Sequence, residues 1–107
     1  MVVYVSQAQT LEEAVTWRRH LIARNEDITD LSESRRFFTR KHLEPASFAR
    51  YDVGRFHRQR YTVMTVAATN AIFEVVAWSA TPEADDPIIQ TAFLSFEIVR
   101  NSKEDDR

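Results

Sequence analysis

Residues 60–100 read RYTVMTVAATNAIFEVVAWSATPEADDPIIQTAFLSFEIVR, and the parsing of this stretch decides the fold. Residues 61–68 and 72–80 are two runs rich in β-branched and aromatic side chains, the composition of strands. Thr69-Asn70-Ala71 between them is short, which predicts an antiparallel pair closed by a tight turn. Asn70 suits that turn because asparagine tolerates left-handed dihedrals. In the second run Ile72, Val76 and Trp78 fall on one face and Phe73, Val75 and Ala77 on the other, with Glu74 the single charge. A half-exposed strand alternates with polar residues, so this strand is expected inside a sheet and covered on both faces. Asp86-Pro87 then reads as a helix start. Asp caps free N–H groups, and proline at the first helical position lacks an N–H that would have had no partner. Ile88, Ile89, Ala92, Phe93 and Phe96 follow at helical spacing, which predicts a short closing helix; a strand over 91–99 is the alternative.

Upstream, residues 47–53 alternate, with Ala49, Tyr51 and Val53 on one face and Phe48, Arg50 and Asp52 on the other, the period of a strand. Gly54, the only glycine in 107 residues, follows it and is expected at a bend, bulge or tight turn. The segment 35–43, RRFFTRKHL, reads equally as strand or helix, and Pro45 is expected to end either one. Residues 25–34, NEDITDLSES, read as a polar connector anchored by Ile28 and Leu31.

The N-terminal third is sharper. VVYVS at 2–6 is a short strand by composition. Thr10 and Glu13 have the spacing of a capping box, in which each side chain accepts a hydrogen bond from an N–H at the other's end. The helix it opens should run over 11–24. Leu11, Ala14, Val15, Trp17, Leu21 and Ile22 fill one arc of it, and Arg18 sits near the middle of that arc. Arg18 either snorkels to the edge of the packed face or pairs with Glu74, the one charge in the apolar strand.

The architecture these elements predict is α+β: an antiparallel sheet with a capped N-terminal helix and a short C-terminal helix packed on it, an α/β sandwich. Its length suits one domain over 1–100, with 101–107 a charged, frayed tail. The absence of cysteine removes disulfides and thiolate chemistry. The first residues lack the basic and apolar regions of a secretory signal, and no run nears the roughly 18 apolar residues of a membrane span. A cytoplasmic location is expected.

A net charge of −2 conceals segregation. Residues 1–33 carry −3, residues 34–60 carry +6 and residues 61–107 carry −5. The basic block either faces an acidic protein surface or nucleic acid, or it pairs with the acidic segments of its own fold. Its aromatics, Phe37, Phe38, Tyr51, Phe56 and Tyr61, are either stacking platforms for single-stranded nucleic acid or core residues. A pI near 5.9 argues against a dedicated nucleic-acid binder.

Catalytic patterns are missing. One glycine excludes glycine-rich phosphate loops and the nucleophile elbow. His20, His42 and His57 have no metal-ligand spacing. No enzyme activity, cofactor or metal is therefore expected.

Several features combine into a resemblance: TLEEAVTWRRHL, then EPASFARYDV, then RFHRQRYTVMTVAATNAIFEVVAWSATPE, then a helix ending in LSFEIV. In this order they resemble the PsbP/DcrB/Mog-type α/β sandwich superfamily. The matching positions are Pro45-Ala46 at a strand opening, Phe73 at the start of the central strand and Ser95-Phe96 at the end of the last helix. One departure stands out: the strand pair with a Phe…Pro…Trp pattern that precedes VVYVS in the family is missing. The resemblance therefore implies an open sheet edge, which invites pairing with a second chain. Members of the family mostly bind proteins without catalysis; they include extrinsic photosystem subunits, a Ran-binding factor, envelope lipoproteins and Eag-type chaperones. The expected function is a small non-catalytic protein-binding module, an adaptor or chaperone-like protein. It would dock a protein partner or a second copy through a sheet edge or the basic 35–60 surface. The candidate contacts are Arg50, Arg55, His57, Arg58 and Arg60. A nucleic-acid-associated protein using the same block, or an enzyme whose site is assembled in space, are the alternatives.

Overall fold

The structure, a computed structural model, describes the backbone of residues 1–25, 28–40, 42–54 and 58–105, and the side chains of 1–24, 34–40, 42–54 and 58–93. The elements in chain order are β1 (Val2–Ser6), α1 (Leu11–Asn25), β2 (Ile28–Phe38), β3 (Pro45–Val53), β4 (Gln59–Ala67), β5 (Ile72–Ser79) and α2 (Pro82–Asp105). The strands form one sheet in the order β1-β5-β4-β3-β2, antiparallel throughout. The fold is α+β, as the alternation of apolar residues requires. β2 to β5 make a meander, and β1, joined to β2 by α1 across one face, adds to its far side.

Strand parity assigns the two faces. Phe48, Met64 and Val75 stand in register across β3, β4 and β5, and with Ala46, Val66, Ala77 and Phe93 of α2 they form one buried cluster. Ala49, Tyr51, Val53 and Val63 point the other way and pack with Ile22 of α1. One helix therefore covers each face. β5 is interior, as its two-sided apolarity demands, with Val75 wholly buried on one side and Glu74 on the other. Trp78 near its end is the exception and stays half exposed.

The Thr10 half of the expected cap forms: the Thr10 hydroxyl accepts the Glu13 N–H at 3.1 Å, and the Thr10 carbonyl accepts that of Ala14. Trp17, however, lies outside the packed arc and is exposed. The hairpin between β4 and β5 is closed by Ala68 N–H to the Ala71 carbonyl at 2.9 Å. Among the described residues positive φ occurs only at Leu43 (51°) and Gly54 (91°). The turn therefore does not use left-handed dihedrals at Asn70, and Gly54 takes the conformation a Cβ would penalise.

Three expectations are corrected. The polar stretch 25–34 is not simply a connector, because β2 begins at Ile28 and runs through Phe38; this also resolves the ambiguous segment as strand. An edge strand needs little apolar surface, so composition understated it. Pro45 opens β3 rather than closing the preceding element, at a position where a strand tolerates a missing N–H. The last helix is not short: α2 spans 24 residues and starts at Pro82, so Asp86-Pro87 falls in its second turn and the strand alternative over 91–99 does not form. Pro82 suits the first helical position as well as Pro87 does. The Thr81 carbonyl accepts the N–H groups of Ala84 and Asp85, while the Asp85 carboxylate accepts from Ser79 Oγ (2.5 Å) and Thr81 Oγ1 (2.9 Å). These two hydroxyl donors hold the Asp85 carboxyl below its usual range. The backbone is helical through residue 105, so α2 extends into the segment expected as a tail. Among the described residues no helix is long and apolar enough to cross a membrane.

Candidate functional site

Much of the basic block is engaged by the chain's own acids. Arg60 on β4 faces Asp52 across the β3–β4 ladder, and its Nε donates to Asp52 Oδ1 at 2.7 Å. A second guanidinium nitrogen pairs with Asp86 of α2. The hydrogen bond to Asp52 is the main reason the Arg60 guanidinium is held even above its usual high pKa. At 9% exposure Arg60 has little surface to offer a partner; it ties α2 to the sheet. Arg58 is exposed and pairs with Glu83 in the first turn of α2. Arg36 clamps Glu12 of α1 with two bonds, at 2.9 and 2.7 Å, and donates to Ser47 Oγ at 2.8 Å. That clamp lowers the Glu12 carboxyl and raises the Arg36 guanidinium. Arg50 is half-buried, its guanidinium 5.1 Å from the Phe48 ring centre. Arg55 and His57, with Phe56, lie outside the described residues. Phe48 and Tyr51 are core residues and Tyr61 packs against the core, so three of the aromatics near the basic block serve packing.

Arg18 reaches Glu74. Its Nε lies 2.9 Å from Oε1 and a terminal nitrogen 3.3 Å from Oε2. The guanidinium also stands 4.5 Å above the Tyr4 ring. One side chain on α1 therefore neutralises the buried carboxylate of β5 and holds the edge strand β1 beside it.

The two sheet edges differ. β2 carries charge at Asp30, Glu33, Arg35 and Arg36, and its register against β3 slips twice, between Ile28 and Asp30 and between Leu31 and Glu33. Charges and bulges are the devices that discourage a further strand. β1 has neither. Its five pairs with β5 run without a slip, and it contains no charge, proline or glycine. Val2, Val3, Tyr4 and Val5 are 42–67% exposed, and among the described residues no strand lies on its outer side. Trp78 of β5, on the same sheet face as Tyr4, is half exposed, as is Trp17 of α1.

On the opposite face α2 lies mainly over β4 and β5, with Phe93 reaching Ala46 and Phe48 of β3. There a groove of about 660 Å³ forms between α2 and the β2 edge. Phe37, Phe48, Met64 and Phe93 line it together with Arg35 and Arg40. A second concavity of about 530 Å³ lies against the outer face of α1, lined by residues from Ser6 to His20. Among the described residues no group of three or more metal-ligating side chains converges. No protein-family model, curated protein or solved structure matches this chain.

Sequence reading offered the Arg18–Glu74 pair as one of two alternatives for Arg18, and the structure forms it. It missed the groove, because only the offset of α2 from the sheet centre creates it. The sole signal was the i, i+2 spacing of Arg35 and Phe37, which puts charge and ring on one strand face.

Proposed function

We propose that the chain is a non-catalytic protein-binding module, adaptor- or chaperone-like, that docks an extended segment of a protein partner by strand addition along β1. The observation that carries this reading is the asymmetry of the edges: β2 is charged and bulged, whereas β1 is regular, uncharged and apolar on both faces. Strand addition takes its affinity from main-chain hydrogen bonds and its selectivity from alternate side chains. Val3 and Val5 would meet the incoming segment on the α2 face, and Tyr4 on the α1 face. The family resemblance agrees with this use of the edge. The basic 35–60 surface ranks second as a docking surface, since Arg58 and Arg60 already serve internal pairs.

Paired variants test the assignment. Val3→Lys with Val5→Lys places two charges on the free edge, and Arg55→Glu with Arg58→Glu reverses two residues of the basic block. Each is compared with the wild type for retention of one defined partner from the native host and for self-association by light scattering. Loss of that partner with the lysine pair alone, at an unchanged melting temperature, is the expected result. Loss only with the arginine pair would move the site to the basic surface, and concentration-dependent dimerisation abolished by the lysines would identify the partner as a second copy. Retention by both variants would reject the proposal.

A further inference from the structure

The two edges of the sheet behave differently toward a neighbouring chain. β1 is a regular strand with no charge, proline, glycine or register slip, and among the described residues no strand lies outside it. Its outward main-chain groups and the exposed Val2, Val3, Tyr4 and Val5 make it a template for a further strand. β2 carries Asp30, Glu33, Arg35 and Arg36 and slips twice in its register against β3, which discourages a further strand. A sheet with one open and one guarded edge accepts one neighbour and then stops.

The sequence of β1 fits a second copy of itself. A two-fold axis perpendicular to the sheet joins like edges antiparallel and keeps each sheet face on its own side. Side chains opposite one another then share a face, so their residue numbers share parity. The register centred on Tyr4 meets that condition and uses the whole strand, Val2–Ser6. It sets Val2 against Ser6 of the second copy, Val3 against Val5, and Tyr4 against Tyr4. Val3 and Val5 stand opposite Val75 and Phe73 of β5 on one face, and Tyr4 stands opposite Glu74 on the other. Pairs of β-branched and aromatic side chains stabilise antiparallel strands, and like charges directly opposite destabilise them. β1 brings no charge to the seam, and the Arg18 guanidinium over the Tyr4 ring is neutralised by Glu74.

From this we infer that the free chain is a two-fold dimer in which β1 pairs antiparallel with β1 of a second copy, centred on Tyr4, an assignment that rests on the reading of β1 as the docking edge. Two five-stranded sheets become one continuous sheet. Assembly ends at two copies, since both outer edges of the joined sheet are the charged, bulged β2. The seam is short, about 17 Å for five residues at roughly 3.4 Å each, so the dimer forms reversibly. A partner strand uses the same main-chain groups and therefore binds at the expense of the dimer.

Sedimentation velocity of the full chain over a wide range of concentration tests the stoichiometry. A monomer–dimer equilibrium with nothing larger is expected, and Val3→Lys with Val5→Lys should leave only monomer. The absence of cysteine lets introduced thiols test the register. Val3→Cys and isotope-labelled Val5→Cys chains are mixed in equal amounts, oxidised with diamide and weighed intact. Residues 3 and 5 of the two copies stand opposite at roughly 4.5–5.5 Å between Cα atoms, within disulfide reach, whereas two copies of residue 3 are offset beyond the ~7 Å limit. The mixed disulfide should therefore exceed the two like disulfides together by at least about fivefold, where random collision gives parity. A chain monomeric throughout, assembly beyond the dimer, a dimer that survives the lysines, or disulfides at parity would each overturn the assignment. A monomeric chain that still loses its host partner on lysine substitution would sink the dimer and keep strand addition. A lysine-dissolved dimer whose host partner is retained would keep the dimer and sink strand addition.

Discussion

Replacing Arg18 by methionine strands a carboxylate in the core. Glu74 is 2% exposed, and both its oxygens are bonded by the Arg18 guanidinium. Methionine keeps most of the aliphatic stem of Arg18, so the loss is the charge and its two hydrogen bonds. Breaking a buried ion pair by removing one partner costs about 3–5 kcal/mol, because the remaining charge has no compensation. Arg18 is 15% exposed, so solvent reaches this end of the pair and the lower figure applies, about 3 kcal/mol. Against a typical stability of roughly 5–15 kcal/mol this is a large fraction. At about 4–8 °C per kcal/mol the melting temperature should fall by roughly 12–24 °C. Urea denaturation of wild type, R18M and the double variant R18M/E74L gives the decisive comparison. The double variant removes both charges and should recover to within about 1 kcal/mol of wild type, as when buried pairs are replaced by apolar residues. A loss under about 1 kcal/mol in R18M, or a double variant no more stable than the single one, would refute the reasoning. Since Arg18 also stacks on Tyr4, β1 amides in R18M should exchange faster than those of β3.

Two further outcomes follow from buried polar groups. Thr62 is wholly buried, and its hydroxyl has no hydrogen-bond partner among the described residues. Thr62→Val keeps the shape and removes the unsatisfied group, so the urea midpoint should rise, with a gain of about 1 kcal/mol. Burial raises the Tyr51 phenol above its usual pKa. A raised folded-state pKa contributes stability that is fully present below the unfolded value, near pH 10, and is lost as pH rises through the folded value. Tyr51→Phe should therefore flatten the alkaline fall in stability above roughly pH 10, measured as urea midpoint against pH.

Local signals explain what was legible in the chain. The bounds of β1 follow from a compact run of β-branched and aromatic residues, and the start of α1 from Thr10 and Glu13 at capping distance. The interior position of β5 follows from apolar residues of both parities, and its one charge pointed to Arg18. β2 was obscured because an edge strand can be polar and still be paired along one side. The start of α2 was obscured because Pro82 and Pro87 are equally good first residues, and Ser79 and Asp85 settle the choice only once β5 ends beside the helix. Arg58 and Arg60 look alike in the sequence. They part company because register sets Arg60 opposite Asp52 and helix docking brings up Asp86, whereas Arg58 stays on the surface.

The sequence by itself determined the class of fold, the central hairpin, the capped first helix and the lack of catalytic motifs, since each depends on neighbours a few residues apart. The tertiary structure decided which strands became edges and where on each face the helices docked. It also decided which arginines were consumed internally. These depend on docking between segments tens of residues apart, where burial and offset outweigh local preference. The apolar β1 edge and the groove beside α2 both belong to that second category.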